Sequence, residues 1–219
     1  MKIAILGGTG KMGEGFACRW APNHEIYIGS RNIDKARETA KNYTQKLMNY
    51  GVKCDISGMS NISAAEKADV VVLAIPYDAA IDLVKCIQSV LRDQIVISIV
   101  VPMTKVTRRL EYTPPTEGCG ASHIRGIIKS PTVKIVSAYQ NVSYNKLSDL
   151  DLCIECDVMI CSDDIEAKKI VMSLTREIPN LRPLDGGSLC ESCNVESLTP
   201  FLINVAIRNG LSDLSVKLI

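Results

Sequence analysis

Lys2-Ile3-Ala4-Ile5-Leu6-Gly7-Gly8-Thr9-Gly10-Lys11-Met12-Gly13 lies at the start of the chain, and its reading decides the fold. An apolar run of strand length passes directly into G-x-G-x-x-G, with Gly8, Gly10 and Gly13 in the glycine places, and then into a helical segment, Lys11–Trp20. In that setting each glycine has a task. The first permits the tight turn, the second lets a pyrophosphate approach the backbone, and the third lets helix and strand pack closely. The helix start adds unpaired N–H groups and a partial positive charge. The motif therefore points to a dinucleotide, the alternative being a glycine-rich turn with no ligand.

Working outward, strand-length apolar runs at Lys2–Leu6, Glu25–Gly29, Val70–Ile75, Ile95–Ile99 and Val133–Ala138 alternate with helical segments at Lys11–Trp20, Ile33–Tyr50, Tyr77–Leu91 and Gly120–Ser130. That alternation is the pattern of parallel βαβ units. It predicts an α/β fold: a Rossmann-type, doubly wound parallel sheet over residues 1–138, followed by a small C-terminal α/β domain over 139–219. Pro102–Gly120, with three prolines and Arg108-Arg109, reads as a long loop of the functional kind. The C-terminal part reads as a strand at Asp157–Cys161, a helix at Ile165–Ile178, a strand near Leu181–Asp185 and an apolar helix around Val195–Val205. A helix apolar on nearly every side needs cover, from a cleft or a second subunit. Pro200 either starts that helix, with Thr199 as cap, or kinks it.

The end of the second strand selects the cofactor. An NAD site places a carboxylate about 20 residues past the glycines to hold the ribose hydroxyls. Here Ser30-Arg31 stands there, with Lys35 one turn on. A planar guanidinium, a hydroxyl and an ammonium suit a 2′-phosphate, which reads as NADP(H). Pro76, closing the run Val70–Ile75, is placed to line a nicotinamide pocket or simply to punctuate a helix.

Composition narrows the rest. With 25 Lys+Arg against 24 Asp+Glu in 219 residues, the basic footprint of a nucleic-acid binder is missing. The N-terminal apolar run is far shorter than the ~20 residues of a membrane span. Nine cysteines, odd in number and scattered, suggest a reducing, cytoplasmic setting. Cys153-Ile154-Glu155-Cys156 and Cys190-Glu191-Ser192-Cys193 invite a zinc or thiol reading. A right-handed crossover between their strands would place them at opposite sheet ends, so no metal site is expected. A carbonyl reductase would want a proton donor, yet His24 reads as a surface turn residue and His123 merely follows the loop. Tyr77, Tyr139 and Tyr144 lack a lysine four residues on. The gap closes if the second substrate is itself a hydride carrier, because ring-to-ring transfer needs proximity and exclusion of water rather than an acid. Two readings stay open beside that one: an NADP-dependent reductase of another small substrate, and a non-catalytic NADP-binding redox sensor.

Ile5-Leu6-Gly7-Gly8-Thr9-Gly10, Gly29-Ser30-Arg31, Val136-Ser137-Ala138, Arg182-Pro183-Leu184-Asp185-Gly186-Gly187 and Val195-Glu196-Ser197-Leu198-Thr199-Pro200 together resemble the coenzyme F-420-dependent NADP oxidoreductases of archaea. The resemblance runs almost from end to end. It implies a cytoplasmic homodimer that moves a hydride reversibly between a reduced 5-deazaflavin, coenzyme F-420, and NADP, with no catalytic acid or base. It implies that Thr9, Gly10, Lys11, Met12, Ser30, Arg31 and Lys35 hold NADP. Gln140, Asn141 and Val142 would flank the deazaflavin, with Val142 as the aliphatic contact, and Ser197 and Thr199 would complete the pocket. Gln140 replaces a histidine of several members, and Cys193 an arginine.

Overall fold

The computed structural model describes residues 1–212 and 214–219. Its centre is a six-stranded parallel sheet. The first half is β1 (Lys2–Leu6), α1 (Lys11–Trp20), β2 (Glu25–Ser30), α2 (Ile33–Asn49), β3 (Asp55–Ser60) and α3 (Asn61–Lys67). Then come β4 (Val70–Leu73), α4 (Tyr77–Ile87), β5 (Ile95–Ser98), β6 (Met103–Val106), β7 (Arg109–Tyr112), α5 (Gly120–Ile127) and β8 (Lys134–Ser137). The sheet order β3-β2-β1-β4-β5-β8 reverses direction between β1 and β4, the topological switch point where doubly wound sheets bind ligands.

Alternation along the strands makes the layers. Ile3 and Ile5 point into a core shared with Phe16 and Trp20 of α1, while Ala4 and Leu6 point into the opposite core with Val84 and Ile87 of α4 and Ile124 of α5. Capping sets the helix starts: the Asn32 side chain accepts from Lys35 N–H to open α2, and Ser60 does the same for α3.

The remaining elements are α6 (Tyr144–Ser148), β9 (Cys156–Ile160), α7 (Ile165–Arg176), β10 (Leu181–Asp185) and α8 (Ser192–Asn209), the last preceded by a short 3-10 turn. Strands β9 and β10 form a parallel pair. Their layer shares the first core: Trp20 Nε1 donates to Leu174 O at 3.0 Å, and Tyr139 Oη lies 2.7 Å from Thr175 Oγ1.

Two details depart from the sequence expectation, and a third decides between two readings. Strand β3 is an edge strand the apolar pattern does not mark. Its Gly58 lets α2 lie against it, since a Cβ there would sit 2.3 Å from Ala36 backbone. Pro102–Gly120 is not a structureless loop, because it contains the antiparallel hairpin β6–β7, turned at Thr107-Arg108 with Thr107 at φ 53°. Pro200 lies inside α8 and does not begin it. The two C-x-x-C segments are separated by the parallel pair, Cys156 beginning β9 and Cys190 following β10. Among the described residues no group of three His, Cys, Asp or Glu is placed to hold a metal.

Candidate active site

A cavity of about 990 Å³ opens at the switch point. Gly10, Lys11 and Met12 line it from the glycine loop, and Ala74, Ile75 and Pro76 from the end of β4. Gln140, Asn141 and Val142 line it from the segment after β8, and Thr199, Leu202 and Ile203 from α8. Eight of the predicted site residues thus meet in one space: Gly10, Lys11, Met12, Pro76, Gln140, Asn141, Val142 and Thr199.

The glycine loop is built as the motif requires. Gly7 sits at φ 78°, where an added Cβ would strike Ile75 Cγ2 at 2.0 Å, and its N–H donates to Gly29 O at 3.1 Å. Gly8 is buried, its N–H bonded to Ile5 O and its carbonyl accepting from Tyr43 Oη at 2.9 Å. Gly10 caps α1 with no side-chain acceptor. A Cβ on Gly10 would meet only Gly7 O, at 3.7 Å. The helix N-terminus is therefore approachable by an anion and unblocked by its own side chains, which fits a pyrophosphate. Thr9 stands beside it in the same loop. Ser30 ends β2, and Arg31 and Lys35 are exposed around the start of α2. These three lie off the cavity: Ser30 closes the strand paired with β1, and Arg31 and Lys35 follow it into α2.

The opposite wall is preorganised by strain. Tyr139, wholly buried, adopts φ 70°, a left-handed conformation costly for an aromatic residue. Its ring is fixed against Phe16 (4.9 Å) and Trp20 (6.0 Å) and its hydroxyl by Thr175. The resulting turn, closed by Val142 N–H to Tyr139 O at 3.1 Å, sets Gln140–Val142 against the cavity. Gln140 Nε2 donates to Ser98 O and Ser137 Oγ, at the carboxyl ends of β5 and β8. Gln140 Oε1 and Asn141 Oδ1 are buried without a partner among the described residues.

Thr199 Oγ1 donates to Gln140 O at 2.8 Å and joins α8 to this turn. Ser197 does not line the cavity, and its hydroxyl donates back to Asn194 O.

Sequence spacing does not bring out three contacts around the cavity. Arg19 donates to Leu147 O at 2.9 Å and Asp149 O at 2.7 Å, tying α1 to α6 and so to Ser143 and Tyr144 at the cavity. The ammonium of Lys11 lies 5.5 Å above the Tyr144 ring. At the rim, Tyr77 Oη lies 2.6 Å from His123 Nδ1, a pair 46 residues apart, and burial raises the Tyr77 pKa above the ordinary phenol range.

A parallel sheet in this order, with a glycine loop at the first crossover and a cavity at its switch point, defines a dinucleotide-binding protein of the Rossmann class. Residues 2–102 match the family model described as NADP oxidoreductase coenzyme F420-dependent. The F420-dependent NADP reductase of Methanocaldococcus jannaschii is 42% identical over 213 residues, covering 95% of this chain and 93% of the relative. That of Methanothermobacter thermautotrophicus is 31% identical over 100% of this chain and 94% of its own length. The chain belongs to the family of coenzyme F420-dependent NADP oxidoreductases. Among solved structures, an Arthrobacter protein named for an F420-dependent NADP reductase superposes with a TM-score of 0.83, at 22% identity over 100% of this chain and 99% of that one. Plasmodium falciparum pyrroline carboxylate reductase with NADP bound gives 0.53, at 17% identity over 97% and 71%. Both show the fold.

Proposed function

We propose that the cavity brings NADP(H) and coenzyme F-420 together and that the chain transfers a hydride reversibly between them. One observation carries the reading. A single, mostly apolar space has the dinucleotide loop on one wall and Gln140–Val142 on the other. The cofactors, when bound, supply both halves of the hydride chemistry, and the chain supplies binding, orientation and a dry slot. In this reading Gly8, Thr9, Gly10, Lys11 and Met12 hold the pyrophosphate, Ser30, Arg31 and Lys35 the 2′-phosphate, and Pro76 the nicotinamide side. Gln140 and Asn141 flank the deazaflavin ring, Val142 presses the rings together, and Thr199 supports that wall from α8. Residues 1–138 are then the NADP-binding domain, and 139–219 complete the pocket.

We also propose a homodimer through α8. Phe201 and Ile207 are 58% and 62% exposed on that helix, an apolar surface suited to a second copy. Among the described residues no helix is long and apolar enough to cross a membrane, and the nine free thiols favour a cytoplasmic setting. The test is a spectrophotometric assay with NADPH and oxidised coenzyme F-420, and NADH as control. Turnover with NADPH and little with NADH is expected. Tight NADPH binding without turnover would refute the two-cofactor reading.

A further inference from the structure

Helix α8 does more than line the cavity. Glu196, wholly buried, accepts from the N–H groups of Gly120 (2.8 Å) and Ala121 (3.1 Å) at the start of α5, and from Tyr112 Oη (3.1 Å) on β7. Burial raises its pKa against the lowering effect of those three donors. About two turns on, Asn204 accepts from Leu110 N–H at 2.8 Å and donates to Leu110 O at 2.7 Å. One amide side chain thereby meets both backbone groups of a strand residue, as a third strand would.

The hairpin needs such support. A two-stranded ribbon is marginal alone, every residue of β6 is exposed, and the left-handed Thr107 costs energy at the turn. Yet Met103 and Thr104 of β6, with Thr113 just past β7, line the cavity beside Leu202, Ile203 and Ala206 of α8. The same helix is bonded through Thr199 to Gln140, which places hairpin and helix on the deazaflavin side.

We propose that Glu196 and Asn204 are positioning residues for the second cofactor: they latch hairpin β6–β7 to α8 and so fix the outer wall of the deazaflavin site without acting on the NADP site. This rests on the two-cofactor reading above. Releasing the latch lets the wall move, so the deazaflavin loses contacts while the glycine loop, on other elements, keeps its form.

The experiment is steady-state kinetics of the full chain with NADPH and coenzyme F-420 for Asn204→Ala and Tyr112→Phe, alongside the original protein, with NADPH affinity measured separately by fluorescence. Asn204→Ala loses two hydrogen bonds and should raise KM for coenzyme F-420 by about tenfold, with KM and Kd for NADPH within about twofold. Tyr112→Phe leaves Glu196 its two backbone donors, so the protein folds even if Asn204→Ala does not, and it should show a smaller shift of the same kind. A purely structural role would lower the active fraction, and so kcat, with both KM values unchanged; that result overturns the proposal, as does an equal rise in both. No turnover by the original protein would instead refute the two-cofactor reading, and the latch with it.

Discussion

Replacing Gly13 by alanine sets two effects of opposite sign against each other. Gly13 lies inside α1, where exchanging glycine for alanine ordinarily gains about 1 kcal/mol of helix stability. The added Cβ would stand 2.4 Å from Gly8 Cα and 2.7 Å from Gly8 C and O, whereas carbon atoms pack at about 3.5–4.0 Å. Loop and helix must separate by roughly 1 Å, and the loop cannot yield freely, since Gly8 is bonded to Ile5 O and by Tyr43 Oη. Overpacking of this kind costs about 1–3 kcal/mol, which exceeds or cancels the propensity gain. A net loss of up to about 2 kcal/mol lowers Tm by up to about 8 °C in a chain of this size. Displacing the N–H groups at the start of α1 should also forfeit at least one charge-assisted hydrogen bond to the pyrophosphate, weakening NADPH by roughly 10- to 100-fold. Gly126→Ala is the control: it lies in α5, and its Cβ would meet nothing within 4 Å. It should gain up to about 1 kcal/mol and bind NADPH unchanged. Thermal melts and NADPH fluorescence titration read both variants. A Gly13→Ala protein as stable and as tight-binding as Gly126→Ala would refute the close-packing argument.

Arg31→Ala should weaken NADPH by roughly 10-fold or more, with NADH affinity little changed, as loss of an exposed charge-assisted pair predicts; equal losses for both in the titration would remove the 2′-phosphate assignment. Val142→Ala should slow hydride transfer measured in single turnovers and leave NADPH Kd unchanged, because Val142 lines the wall opposite the glycine loop. Hydrogen bonds from Arg182, and then from Leu218 N–H, hold the Asp157 carboxyl below its ordinary pKa despite burial. Its stabilising contribution is therefore present above about pH 4 and lost as pH falls through the folded value, so acid melts of Asp157→Asn should lack that part of the decline. Phe201→Glu should shift the protein toward monomer in light scattering if α8 is the dimer contact.

What was legible in the sequence depended on whether a contact was local. The strand, glycine loop and helix from Lys2 to Trp20 are set by neighbours in the chain, and spacing alone placed them. Strand β3 escaped because an edge strand is held by backbone pairing to β2 and by the absence of a side chain at Gly58, neither of which leaves an apolar pattern. The hairpin escaped because its turn, Thr107-Arg108, carries none of the Asn or Gly that announces two-residue turns; tertiary bonds from Glu196 and Asn204 compensate for the missing local preference.

The same division runs through the site. Gln140, Asn141 and Val142 follow a strand end and fall near the cavity by topology, but their orientation depends on the left-handed Tyr139, and that depends on Phe16, Trp20 and Thr175, the last 36 residues away. A strained residue persists only where the surrounding structure over-determines it. Here the stiffening comes from the core beneath the dinucleotide helix, since Phe16 and Trp20 are both residues of α1. The helix that follows the glycine loop therefore also sets the turn on the opposite wall of the cavity. The glycine loop and the Gln140–Val142 turn, on facing walls of the cavity, are thus held through one shared core.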